Sequence, residues 1–151
     1  MLTGAIIAFL HHLAAFTLTA TIVYELVTYR KDISLGEARR LQKLDIAYGI
    51  SAGAVLVVGL LRVFFFEKGP AYYGHNFFFL TKMIAFLLVA LLSIYPTIKF
   101  VSWNKSLAKN KVPEMPAREV ARIKLLLVLE LAGLAVIILS AALMARGIGT
   151  F

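Results

Sequence analysis

No cysteine occurs in the 151 residues, so disulfides and thiolate metal sites are excluded. Acidic residues are scarce, 8 against 16 Lys and Arg, which leaves a formal net charge of +8. Histidine occurs 3 times, too few to build a structural zinc site without thiolates. The catalytic motifs are missing as well. There is no Gly-rich phosphate loop, no His-Glu-x-x-His pair and no Ser-His-Asp set, which argues against a nucleophilic hydrolase. No Lys or Arg precedes the apolar run that begins at Leu2, so residues 1–28 read as a retained helix and not as a cleaved signal.

What the chain does have is apolar length. Hydrophobic residues make up 61% of it, where a soluble domain is nearer half, and they come in long blocks. About 20 apolar residues cross a hydrocarbon core at about 1.5 Å each. The blocks predict an all-α integral membrane four-helix bundle in one domain, with helices over residues 2–28, 46–66, 77–101 and 116–145. Ser34 and Glu37 have capping-box spacing, so a helix is expected to restart at Leu35 and run on toward the second span. Asn76 is a candidate cap for the third helix, and Pro96 predicts a kink inside it.

Positive charge in a soluble protein would raise nucleic acid as a partner. Here the basic residues lie between apolar blocks, and no nucleic-acid partner is expected. Arg30, Lys31, Arg39, Arg40 and Lys43 occupy the first connection, and Lys105, Lys109, Lys111, Arg118 and Arg122 are in or beside the third. The middle turn has only Lys68 and the tail only Arg146. The positive-inside rule then puts residues 29–45 and 102–121 in the cytoplasm of a bacterial inner membrane, with both termini outside.

Ionisable groups inside such spans are costly and need partners. On the first helix, Gly4, Ala8, His11, Ala15 and Glu25 share a stripe, while His12 lies about 100° round. Arg62 and Lys82 fall at a similar depth to His11, about 6 to 12 Å from the outer surface. Glu25, Asp45 and Glu130 lie toward the cytoplasmic side. For His11 and His12, two readings are open: a hydrogen-bond donor to a neighbouring helix, or an axial ligand to a haem iron. Arg62 and Lys82 either snorkel to headgroups or meet haem propionates. His75 is a loop or cap residue, or else a second ligand or proton donor. Glu130 pairs with a basic neighbour or with a hydroxyl such as that of Tyr48, or the two serve as a proton relay.

The pattern Leu10-His11-x-Leu13-Ala14-Ala15-Phe16, Glu37-Ala38-Arg39-Arg40-Leu41, Phe64-Phe65-Phe66-Glu67-Lys68-Gly69, Tyr72-Tyr73-x-His75-Asn76 and Met144-Ala145-Arg146-Gly147 resembles a family of small bacterial predicted membrane proteins of unknown function. His11, the run from Arg39-Arg40 to Tyr48-Gly49, and Lys82 are also similar in order and spacing to the HemJ-type protoporphyrinogen oxidases. The aromatic signature of that group after its first His is missing, and Phe78 stands where it has Trp before the Lys. Copper-resistance membrane proteins are similar in the same distant way. The HemJ resemblance implies haem b near His11, with Lys82 assisting.

The expected function is therefore a b-type haem protein with a redox role, as an electron-transfer protein or an oxidoreductase, exchanging electrons with a quinone or porphyrin in the lipid bilayer. The alternative is a small transporter or ion-permeation protein that uses Arg62, Lys82 and Glu130. A third expectation is a non-catalytic assembly factor. Gly and Ala on several helix faces point to a homo-oligomer.

Overall fold

Helix boundaries follow from local chemistry. A computed structural model describes residues 2–151, and it is all-helical apart from turns and one isolated bridge. The first helix, α1, spans Leu2–Thr28, and α2 spans Leu35–Leu61. Ser34 starts α2: its hydroxyl accepts from the Glu37 N–H at 3.2 Å, and Glu37 accepts from the Ser34 N–H at 2.7 Å. This reciprocal cap satisfies two otherwise orphaned backbone donors. The second helix thus begins at Leu35 and not at 46, because its first three turns are an amphipathic extension beyond the apolar block. It ends in a π-helical turn, Arg62–Phe66.

A single short turn of helix, α3 (Pro70–Gly74), opens on a proline at the position where a missing N–H costs nothing. Asn76 then caps α4 (Phe77–Ser102), its side chain accepting from the Phe79 N–H at 3.1 Å. Pro96 is accommodated without ending α4. The third connection contains a short helix, α5 (Asn104–Ala108), and α6 spans Ala117–Ala145.

Four of these segments are long and apolar enough to cross a membrane. Their outward side chains agree: Phe9, Phe16, Phe65, Ile84, Leu87 and Leu139 are all more than half exposed. In water that surface would be a severe liability, whereas acyl chains solvate it. The bundle is two hairpins, α1 with α2 and α4 with α6, laid side by side.

The best-packed region lies at the end carrying the basic connections. Tyr29 stacks on Trp103 at 6.2 Å and 10°, and Phe100 stands edge-on to Trp103 at 4.9 Å. Each such aromatic pair is worth about 0.5–1.5 kcal/mol beyond its buried area. Polar links tie the hairpins here too. Gln42 donates to the Phe100 carbonyl at 2.8 Å, and Arg39 donates to the Asn110 side chain at 2.6 Å. The Tyr29 hydroxyl is buried without a partner, and burial, reinforced by the Glu119 carboxylate, pushes its phenol above the ordinary range.

At the opposite end the C-terminal tail is clasped to the start of α4. Phe77 N–H donates to Gly149 O at 2.8 Å, and Phe151 N–H donates to His75 O at 3.0 Å. The fully buried Asn76 side chain donates to Ile148 O at 3.1 Å. Gly149 has φ 86°, and a Cβ there would strike the Phe78 ring.

Within the second hairpin, α6 approaches α4 at Gly133, where an added Cβ would collide with Val89 Cγ2. Small residues permit this closeness, and in lipid close packing is a main source of cohesion. Gly133→Ala is expected to destabilise the protein by about 1–3 kcal/mol, as overpacking does. The check is the thermal midpoint in detergent, which should fall for Gly133→Ala and recover when Val89→Ala is added.

Candidate functional site

His11 sits on the face of α1 that meets α2. Its ring packs against the backbone of α2: a Cβ at Gly59 would come within 3.0 Å of His11 Cε1 and 3.5 Å of Nδ1. Glycine at 59 is what lets the imidazole approach. The Nδ1 atom is buried and has no hydrogen-bond partner.

Beside the ring is a cavity of about 90 Å³, lined by residues from all four spans, among them His11, Gly59, Lys82, Phe86 and Ala141. Lys82 enters it from α4, with its Nζ 5.0 Å from the centre of the Phe79 ring. Among the described residues Lys82 makes no ion pair. Its charge faces a largely apolar space, with the Phe79 ring beside it and the Glu67 carboxylate, already paired to Arg62, within electrostatic range.

Arg62 is turned to the rim. Its guanidinium pairs with Glu67 at 2.7 Å, and the other Glu67 oxygen accepts from the Tyr73 hydroxyl at 3.4 Å. Burial and the Glu67 carboxylate together push the Tyr73 phenol up. Arg62 still lies near enough for its charge to act on both His11 and Lys82.

The other two histidines are outside this cavity. His12 is exposed, its Nδ1 donates to Ala8 O at 2.6 Å, and its ring is edge-on to His11 with centroids 6.0 Å apart. His75 is exposed on the turn before α4, with Nδ1 donating to Ala71 O at 2.8 Å and its ring beside Phe151. Among the described residues no group of three or more His, Asp or Glu is placed to hold a metal ion.

A second polar level crosses the bundle nearer the basic end. Tyr48 on α2 donates to Glu130 Oε2 on α6 at 3.0 Å, in a buried bond between the hairpins. Thr97 on α4 donates to Asp45 on α2 at 2.8 Å. Glu25 on α1 is 2% exposed and lies within electrostatic range of Asp45 and Glu130. One oxygen of Glu25 and one of Glu130 are buried without partners.

The chain matches a family described as predicted membrane protein (DUF2214) over residues 3–149. It belongs to the DUF2214 family. No curated protein and no solved structure matches it. Membership makes this a membrane protein in a family whose function is not known. In this DUF2214 member the ionisable groups of the spans separate into a cationic cavity with an imidazole on one side and an acidic level on the other.

Helical stripes read from sequence bring His11 and Lys82 together and pair Tyr48 with Glu130. They miss Thr97 and Glu67. Thr97 is a neutral residue among many, and Glu67 reaches Arg62 only because the last turn of α2 is π-helical. The Tyr48–Glu130 bond has a measurable weight. Tyr48→Phe leaves Glu130 with both oxygens unpaired and should cost about 1–3 kcal/mol. Thermal unfolding in detergent checks it, and the same substitution in a Glu130→Leu background should cost far less.

Proposed function

We propose that the protein is a small permeation protein whose outer cavity admits a small anion, or the anionic head of a lipid-soluble molecule, selected by Lys82. The observation that carries this reading is the Lys82 ammonium in a largely apolar cavity, with no ion pair among the described residues. A charge held in low dielectric is costly until it is paired, so the cavity favours an anion. His11 adds a ring nitrogen that can donate to the same guest. The cavity measures about 90 Å³, well above the about 10–15 Å³ of such space that one water needs. That suits a small anion or a single carboxylate. In this reading Tyr48 and Glu130, bonded to each other nearer the basic end, are where a proton relay would act.

The unpartnered His11 nitrogen favours a second reading, a haem b protein with a redox role. His11 would face the iron, and Lys82 with Arg62 would face the propionates. Ligand pockets generally measure about 300–1,000 Å³, so the cavity, at about 90 Å³, takes an edge or a propionate but not a porphyrin ring. Haem would seat only with the hairpins parted. Quinone or porphyrin partners belong to this reading. Gly49 and Gly53 are exposed one turn apart on α2 and meet nothing within 4 Å, which supports self-association.

Two measurements separate the readings. Anion flux into proteoliposomes should fall at least about tenfold with Lys82→Met, since about 1.4 kcal/mol of lost charge stabilisation already gives that factor. The purified protein should at the same time be colourless. A Soret band that disappears in His11→Ala, with no flux, would replace permeation with haem. Orientation is tested independently. The Lys and Arg excess supports a cytoplasmic position for residues 29–45 and 102–121 in a bacterial inner membrane. The cysteine-free chain allows Lys68→Cys and Lys109→Cys to be labelled one at a time. An impermeant maleimide should reach the first in intact cells and the second only after permeabilisation.

A further inference from the structure

A groove runs along the lipid side of the α1–α2 seam at the basic end of the bundle. Thr17, Ala20, Thr21 and Tyr24 form its α1 wall, and Arg40, Lys43 and Leu44 its α2 wall. It measures about 610 Å³, several times the outer cavity. The spacing of 17, 20, 21 and 24 is one helical stripe two turns long, about 10 Å.

The threonines do not make this stripe polar. Thr17 Oγ1 donates to Leu13 O at 2.9 Å, and Thr21 Oγ1 donates to Thr17 O at 3.0 Å and to Leu18 O at 2.9 Å. Their hydroxyls are turned onto their own helix, which leaves methyl groups toward the groove.

The charged end is equally one-sided. Arg40 and Lys43 are exposed, and among the described residues neither forms an ion pair. Of the acids nearby in sequence, Glu37 pairs with Arg30 at 2.7 Å, Asp45 bonds Thr97 inside the bundle, and Asp32 on the connection forms no ion pair among the described residues. An apolar trough two turns long thus ends at two unopposed cations, at the level where a bilayer places its headgroups.

We infer that this groove binds one diacyl anionic phospholipid, with an acyl chain along the α1 stripe and the phosphate between Arg40 and Lys43. Charge complementarity selects the headgroup, and the apolar trough selects a lipid over free phosphate. Basic pockets between transmembrane helices hold anionic headgroups by this combination. The site is separate from the outer cavity and does not depend on what that cavity carries.

The test is native mass spectrometry of the detergent-purified full chain with dioleoyl phosphatidylglycerol and dioleoyl phosphatidylcholine in competition. Two basic residues near the surface predict a preference of about 30-fold for phosphatidylglycerol. Arg40→Gln with Lys43→Gln should abolish the preference, and Lys109→Gln with Lys111→Gln should keep it. Ala20→Trp, which fills the trough and leaves both charges, should also lower phosphatidylglycerol occupancy. Equal retention of the two lipids, the same loss in the Lys109 and Lys111 control, unchanged occupancy in Ala20→Trp, or displacement by millimolar inorganic phosphate would each overturn the proposal.

Discussion

The hydrogen bond from Tyr48 to Glu130 joins two helical hairpins that lipid gives little reason to stay together. Acyl chains are as apolar as the leucines they would displace, so the hydrophobic effect does not drive one hairpin onto the other. Cohesion must come from close packing and from polar groups that find partners only across the seam. Within α4–α6 the packing is tight enough at Gly133 to exclude even a methyl group. Between the hairpins the ties are polar: Tyr48 to Glu130, Thr97 to Asp45, Gln42 to the Phe100 carbonyl and Arg39 to Asn110. Each is satisfied in the assembled bundle and exposed to hydrocarbon or water if the hairpins separate.

These ties are gathered toward one end of the molecule. The aromatic cluster of Tyr29, Phe100 and Trp103 adds shape-specific packing there, and the capping box of α2 sets its entry. The opposite half is looser and holds the cavity with His11 and Lys82. The proposed site therefore lies away from these ties, the usual location for a site that must admit something.

Much of the fold was legible in the sequence, since four apolar blocks leave few alternatives in lipid. Ser34 with Glu37, and Asn76, mark two helix starts through side chains whose hydrogen bonds are strictly local. The start of α2 was less legible as part of a span. Leu35 to Lys43 carry charge, yet that stretch is continuous with the apolar part because nothing between them breaks a helix. The short helices α3 and α5 fall below the length at which periodicity gives a signal. Of the candidate site, His11 with Lys82 and Tyr48 with Glu130 could be read from helical stripes and depth. His75 sits exposed at the end of α3, one of the readings open for it, and His12 is exposed about 100° round α1 from the inward stripe. Thr97 was hidden: a lone threonine is informative only once its carboxylate partner is in place.

The tail clasp bears on how the bundle can open. Pairing of residues 147–151 with His75, Asn76 and Phe77 locks the outer ends of α4 and α6 to each other. Among the described residues no comparable strap holds α1, which meets α2 at the notch of Gly59 and also touches α6. The two hairpins are thus fastened differently at this end: the second is tied by its own tail, and the first rests on side-chain packing.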